Sequence, residues 1–332
     1  MDRLQLLQSW LKTLYPDQPF TLSPASADAS FRRYFRVSLP GQTLIAMDAP
    51  PQQENCQPFV HAARILAEAT VHVPEIIAQD LEQGFLLLSD LGNTTYLQAL
   101  NTDPDHANPL YLEAIDALIK IQSASRKNVF PEYDRALFSR ELALFPDWYM
   151  TRHLQSTPND EQENALQAVF DALLANNLAQ PQVFVHRDYH SRNLMVTTPN
   201  PGIIDFQDAI LGPITYDLVS LLKDAYIQWE EAQVLDWAIR YWEKARRAGL
   251  PVDADFSAFY RDFEFMGVQR HLKVLGIFAR LCYRDGKPAY LQDIPAVLHY
   301  LRQTSERYHE LHPLNQLLDQ LENRQSETGY TF

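Results

Sequence analysis

A short stretch past the middle of the chain, Val185-His186-Arg187-Asp188-Tyr189-His190-Ser191-Arg192-Asn193-Leu194, carries the residue types that phosphoryl transfer requires. Asp188 and Asn193 are five residues apart, and Asp205 follows 17 residues after Asp188, in Ile203-Ile204-Asp205-Phe206-Gln207-Asp208. Moving a phosphoryl group onto a hydroxyl needs a carboxylate beside the accepting oxygen. It also needs hard oxygen ligands that hold Mg2+ against the nucleotide phosphates. A loop supplying Asp and then Asn, opposite an Asp at the end of a strand, provides both. Asp and Asn also cap ordinary turns. A plain turn, however, has no use for His, Arg, Asp, Asn and a second Asp-Phe in one register.

These residues must be held by short β pieces, read at Val183–Val185, Leu194–Val196 and Ile203–Ile204. The surrounding chain is helical in period. Leu112, Ile115, Ile119 and Gln122 mark one helix over Pro109–Gln122, and Leu166, Val169, Phe170, Leu173 and Leu174 mark another. The clearest stripe is Phe265, Val268, Leu272, Leu275, Ala279 and Cys282, which puts Cys282 in the core. The first 90 residues read differently. A helical stripe (Leu4, Leu7, Leu11, Leu14) precedes strands at Phe31–Leu39 and Thr43–Met47 around the turn Pro40-Gly41. Pro58 suits the first turn of a helix reaching Ala69, with Phe59, Ala63 and Leu66 on one face. Pro74–Asp80 and Phe85–Ser89 are again strand-like. The reading is α+β: a small β-rich lobe over residues 1–90 and a larger, mostly helical lobe over 91–332, with the boundary at 89–93.

Composition narrows the function classes. The chain has 332 residues, 46% hydrophobic and 21% charged, as in soluble globular proteins and unlike disordered or fibrous ones. Lys and Arg total 28 against 42 Asp and Glu, a formal charge of −14 that repels nucleic acid and anionic membrane surfaces. No apolar run approaches the roughly 18 residues of a membrane span. Met1–Tyr15 lacks the uninterrupted apolar core of a signal peptide. Two cysteines far apart, Cys56 and Cys282, have no metal-like spacing and fit a reducing compartment. The expectation is a cytoplasmic, monomeric protein acting on a small molecule, with neither nucleic acid nor membrane as partner.

His-Arg-Asp, four further residues, Asn, and a later Asp-Phe form the kinase signature set. The chain from about Thr21 to Leu301 resembles the aminoglycoside phosphotransferase and choline kinase-like superfamily, whose fold is protein-kinase-like and bilobal. Ser30-Phe31-Arg32-Arg33-Tyr34-Phe35-Arg36, Met47-Asp48-Ala49-Pro50-Pro51, Ile204-Asp205-Phe206-Gln207-Asp208-Ala209 and Gly267-Val268-Gln269-Arg270-His271-Leu272-Lys273 are more specific. They resemble the amino-sugar kinase branch of bacterial cell-wall recycling. The resemblance implies ATP and Mg2+ as cofactors, Asp188 as catalytic base, and Asn193 and Asp205 as metal ligands. It further implies Ser30 to Tyr34 as the loop over the phosphates, and Phe85–Asp90, with Leu88 and Asp90, as the linker that pairs with adenine. Asp217 matches an aspartate that braces the catalytic loop. The acceptor would be the anomeric hydroxyl of N-acetylmuramic acid or N-acetylglucosamine.

Two departures from the pattern stand out. Ser26-Ala27-Asp28-Ala29-Ser30 contains no glycine, and the phosphate-binding lysine position on the strand is Met47. No lysine occurs between Lys12 and Lys120, so Arg32 or Arg33 is expected to take the role, since guanidinium matches phosphate oxygens in bidentate fashion. For the acceptor, His190 and Arg192 lie beside Asp188, Asp208 follows the metal aspartate, and Gln269 and Arg270 lie on the long helix. Such donors suit a sugar with amide, hydroxyl and carboxylate groups; a solvated helix face is the plainer alternative. Tyr283, Trp229 and Trp237 are expected to pack in the core rather than against a sugar ring. Two rival functions remain open: a kinase for an aminoglycoside, choline or homoserine, and a nucleotide-binding pseudokinase, which Met47 favours and the intact Asp188, Asn193 and Asp205 disfavour.

Overall fold

Alternating apolar residues build the first part of the molecule into a single sheet with two different faces. The computed structural model describes residues 2–26 and 31–328. Helix α1 (Arg3–Leu14) is followed by β1 (Thr21–Ser26), β2 (Arg33–Leu39) and β3 (Gln42–Asp48). Helix α2 (Gln57–Glu68) then leads to β4 (Ile76–Asp80) and β5 (Phe85–Ser89). All neighbours are antiparallel, in the order β1-β2-β3-β5-β4. Gly41, at φ 84°, turns β2 into β3 and sets Arg33 opposite Asp48 and Tyr34 opposite Met47. Because side chains alternate along a strand, Phe35, Val37, Leu44, Ala46, Phe85 and Leu87 pack beneath Leu7, Trp10 and Leu11 of α1. Met47, Leu86 and Leu88 face the other way, into a large core shared with α2 and the helices beyond.

Nine helices are described in that second part: α3 (Tyr96–Thr102), α4 (Ala107–Ser123), α5 (Arg135–Leu142), α6 (Asp160–Ala179), α7 (Tyr216–Leu222), α8 (Glu231–Arg247), α9 (Phe256–Tyr283), α10 (Ile294–Arg307) and α11 (His312–Thr328). A π-helical segment, Phe145–His153, lies between α5 and α6. Strands β6 (Gln182–Val185), β7 (Leu194–Met195), β8 (Gly202–Ile203) and β9 (Ile210–Pro213) form two antiparallel ribbons, β6 with β9 and β7 with β8. The loop 186–193 joins one ribbon to the other. Among the described residues no helix is long and apolar enough to cross a membrane.

Helix α9 is the spine beneath this loop. A Cβ at Gly276 would lie 2.4 Å from the backbone of Leu144, so only glycine lets the segment before the π-helix lie against α9. Nearly the whole circumference of α9 is covered: Gln269, Arg270, His271 and Lys273 are buried along with Val268 and Leu272. The solvated-face alternative for these polar residues is therefore corrected. Cys282 is half-buried at the end of the stripe rather than in the core. Trp237 is fully buried and stacks on Tyr111 with centroids 4.1 Å apart, whereas Tyr283 is exposed and accordingly departs from its expected core position.

Candidate active site

The loop 186–193 is held in place by backbone hydrogen bonds to buried carboxylates. Asp217, near the start of α7, accepts from the N–H groups of His186 at 2.6 Å and Arg187 at 3.0 Å. Asp224 accepts from the N–H of Ser191 at 3.0 Å and its hydroxyl at 2.5 Å. Between these anchors Arg187 sits at φ 78°, a left-handed conformation that a non-glycine residue holds only when its surroundings enforce it. Asp205, just past β8, is likewise left-handed at φ 65°. Its neighbour Phe206 is buried against Phe59 of α2, with ring centroids 4.8 Å apart. The strain therefore falls on the residue before Asp188 and on Asp205 itself.

The three residues that the motif singled out come together. The amide nitrogen of Asn193 donates to the carbonyl of Asp188 at 3.0 Å and to Asp205 Oδ2 at 3.4 Å. This leaves the amide oxygen of Asn193 as its group for a cation, alongside the Asp205 carboxylate, which also accepts from Gln207 Nε2 at 2.7 Å. Among the described residues no group of three or more His, Cys, Asp or Glu side chains could hold a metal ion alone. Two hard oxygen donors fit Mg2+, which takes few protein ligands and completes its shell with phosphates and water.

Burial would raise the Asp188 carboxyl, but Lys273, His190, Arg270 and Arg187 together draw it down to about 2. It is ionised throughout the physiological range. Asp217 goes the other way: burial raises it to about 6 in spite of His186 and its two N–H donors. Burial lowers the imidazoles of both His186 and His190, against the pull of nearby carboxylates.

Above the loop lies a cavity of about 400 Å³, roofed by Tyr34, Ile45 and Leu88 and floored by Met195, Asn193 and Asp205. Leu88 stands opposite Ile45 on one side and Ile76 on the other, inside the sheet, so it offers the cavity its side chain. The Asp90 carboxylate is engaged by Arg36 at 2.6 and 3.0 Å and by the N–H of Gly92 at 2.9 Å. Asp90 thus braces the segment that follows β5. Ser30 lies outside the described residues.

The two arginines diverge by parity. Arg33, on the same side as Phe35 and Val37, pairs with the fully buried Asp48, which also pairs with Arg3. It points away from the cavity, so the expectation that it contacts phosphate is corrected. Arg32 makes an ion pair with Glu54, just before α2, at 3.1 Å. Burial works against its charge, yet Tyr34, Glu54, Asp205 and Asp208 hold the guanidinium above its ordinary value. The cation therefore acts on the same aspartate that faces Asn193.

The expected acceptor residues separate into two groups. Arg192 lies flat on Tyr226, 3.6 Å from the ring centroid, near Asp293 at 4.0 Å and at the rim of the cavity. His190 is edge-on to the same Tyr226, and its Nδ1 has no hydrogen-bond partner among the described residues. Arg270 is buried, its charge set against Tyr216, Asp188, Asp224 and Tyr226. Gln269, by contrast, donates to Glu141 at 3.3 Å inside a buried polar network, and Asp208 is exposed on the Arg32 side. Glu141, Asp224, Tyr226 and Asp293 were not singled out from the sequence. Their partners are too remote along the chain to form a motif: Ser191 and Asp224 are 33 residues apart, and Gln269 and Glu141 are 128 apart.

Comparison with known proteins gives this arrangement a context. Residues 21–250 match the profile of the family described as "Phosphotransferase enzyme family". The chain is 51% identical over 336 residues, all of both chains, to a protein of Neisseria meningitidis serogroup B named N-acetylmuramate/N-acetylglucosamine kinase. A Pseudomonas putida protein of the same name is 51% identical over 330 residues, 96% of this chain and 97% of its own. Among solved structures, a choline/ethanolamine kinase family protein from Mesorhizobium loti has a TM-score of 0.64 at 17% identity, covering 95% of this chain and all of that one. An ADP-bound aminoglycoside phosphotransferase has a TM-score of 0.57 at 14% identity, covering 89% and 96%. The shared fold is the protein-kinase-like, two-lobed α+β architecture.

Proposed function

Since the chain belongs to the phosphotransferase enzyme family, we propose that it transfers the γ-phosphate of ATP to the anomeric hydroxyl of N-acetylmuramic acid and N-acetylglucosamine in the recycling of cell-wall sugars. The carrying observation is the convergence of Asp188, Asn193 and Asp205 beside the cavity, in a chain half identical over its full length to kinases named for these two sugars. Residues 1–90 and 91–332 act as the two lobes that close on the substrates. The free cysteines Cys56 and Cys282 support a reducing, cytoplasmic setting.

The chemistry follows from the side chains. Asn193 and Asp205 hold Mg2+, which neutralises charge on the phosphates when bound. Arg32, steadied by Glu54, supplies the cation that Met47 does not. Asp188 accepts a hydrogen bond from the sugar C1 hydroxyl and orients its oxygen toward the γ-phosphorus. That oxygen bonds to phosphorus as the bond to the bridging oxygen breaks; ADP leaves with the electron pair, and the hydroxyl proton passes to Asp188. A carboxylate held at about 2 is a weak base, so its main work is orientation in a loose transition state, with the proton moving late. His190, with Arg192 and Arg270, faces the ring and the lactyl carboxylate.

The test is ADP release over a panel: both sugars, their 1-O-methyl glycosides, kanamycin and choline. The two sugars should react and the methyl glycosides should not, although their other hydroxyls are free. Phosphorylation of a methyl glycoside rules out anomeric transfer. Activity on kanamycin or choline alone moves the chain to another branch of the family.

A further inference from the structure

One carboxylate under the catalytic loop gathers four donors and has no part in the reaction described above. Glu141, in α5, has a side chain only 7% exposed. Its Oε1 accepts from Arg187 Nη2 at 2.6 Å and lies 3.0 Å from Lys273 Nζ. Its Oε2 accepts from Gln269 Nε2 at 3.3 Å and from the hydroxyl of Tyr133. Lys273 also donates to the Tyr216 hydroxyl at 3.0 Å. The catalytic loop, α5, α7 and α9 therefore meet at this group.

What surrounds it is a balance between two acids and two bases. Glu141 and Asp188 are the carboxylates whose charges act on both Arg187 and Lys273. Lys273 in turn leads the cations that act on Asp188. All four side chains are largely withdrawn from water, where a charge that loses its partner seeks another. If Glu141 lost its charge, both cations would be left with Asp188 as their remaining anionic partner. A direct pair there would occupy the oxygens that the acceptor hydroxyl needs. The Arg187–Glu141 pair also ties down the side chain of a residue whose left-handed backbone needs support.

We propose that Glu141 is a positioning residue: it keeps Arg187 and Lys273 engaged away from the Asp188 oxygens and thereby leaves that carboxylate open to the acceptor. The inference rests on the reading of Asp188 as the group that orients the hydroxyl. It does not depend on which acceptor is used.

Glu141→Gln keeps the shape and removes the charge. It should lower kcat at least about tenfold while the KM values for ATP and sugar stay within about twofold, the pattern of an interaction needed in the transition state rather than in binding. In Glu141→Gln combined with Lys273→Met the competing cation is gone, and kcat should rise at least about threefold above the single variant, a coupling that neighbours in one network display. A merely structural glutamate predicts the reverse, since a second buried change adds damage. Should Glu141→Gln not fold, Glu141→Asp keeps the charge but is too short to hold both cations, and it should lower kcat about threefold or more at unchanged KM. Each variant is measured for sugar phosphorylation and for acceptor-independent ATP hydrolysis, because water is oriented by the same carboxylate. A wild type that phosphorylates neither sugar refutes the proposed acceptor, while the hydrolysis ratios still report on Glu141. Unchanged kcat in Glu141→Gln, or in Glu141→Asp where only that variant folds, overturns the proposal. So does a double variant no faster than the single one.

Discussion

Replacing Arg32 tests how a kinase-like cleft works without a lysine on its third strand. Met47 occupies that position and is fully buried, so it brings no charge to the phosphates. Arg32 has a side chain only 13% exposed, an ion pair to Glu54 at 3.1 Å, and a charge that acts on Asp205. A hydrogen bond to a charged group is worth roughly 1.5–3 kcal/mol. At about 1.4 kcal/mol per decade, Arg32→Ala should raise the KM for ATP by about 10- to 150-fold. Part of that rise comes from Glu54, whose carboxylate is left without its counterion near the phosphates. Arg32→Ala combined with Glu54→Gln should therefore bind ATP better than Arg32→Ala alone. Arg33→Ala is the control: its partner Asp48 keeps Arg3, so the variant should melt a few degrees lower at an unchanged KM for ATP. The assay is coupled ADP release against ATP concentration, alongside thermal melting of each variant. If Arg32→Ala stays within about twofold of wild type, or if Arg33→Ala raises KM equally, the assignment of Arg32 to phosphate fails.

Asp205→Ala should abolish turnover, and Asn193→Ala should raise the free Mg2+ needed for half-maximal rate by about tenfold or more; metal titration of the rate checks both. Asp188→Asn should leave ATP binding nearly intact and lower kcat by about a hundredfold, so a variant retaining most of its kcat refutes the role given to that carboxylate. Asp217→Asn should destabilise the fold by roughly 1–3 kcal/mol, because an amide cannot accept from both backbone N–H groups. The same variant has a pH signature. Asp217 binds its proton more tightly folded, at about 6, than unfolded, so its contribution to stability falls as pH rises from the ordinary aspartate range to above 6. Melting temperatures from pH 4 to 7 should show the wild type losing ground relative to Asp217→Asn over that window. Parallel curves count against the raised carboxyl.

The parts of the site that were legible in the sequence are local in the chain. Asp188, Asn193 and Asp205 lie within one stretch of loop and ribbon, so their spacing alone announced them. Strand alternation also held the answer to Arg32 against Arg33: Arg33 shares its side with Phe35 and Val37, Arg32 with Tyr34 and Arg36. The sequence could not say which side meets the cavity, because both carry aromatic and charged residues. The segment 124–159 gave no helical reading, for it is broken at Pro131 and Pro146 and includes a π-helical turn whose period differs from 3.6. Strand β9 was missed because Ile210-Leu211-Gly212-Pro213 looks like a turn. Helix α9 misled differently: it is covered almost all round, so polar residues beside its apolar stripe are buried rather than solvated.

That burial explains how so acidic a chain accommodates anionic substrates. A formal charge of −14 gives no long-range attraction for a nucleotide or for a sugar carboxylate. Cations are instead fixed pair by pair around the cleft. Arg32 is steadied by Glu54, Arg36 by Asp90, and Arg187 and Lys273 by Glu141. Each carboxylate fixes a cation in one orientation, and low exposure keeps water from screening it. Asp188 stays ionised at about 2 because Lys273, His190, Arg270 and Arg187 outweigh the cost of its burial. Placement rather than net charge therefore decides where phosphate and hydroxyl can meet, and the same placement makes the site depend on residues far from the catalytic loop in sequence, Glu141 among them.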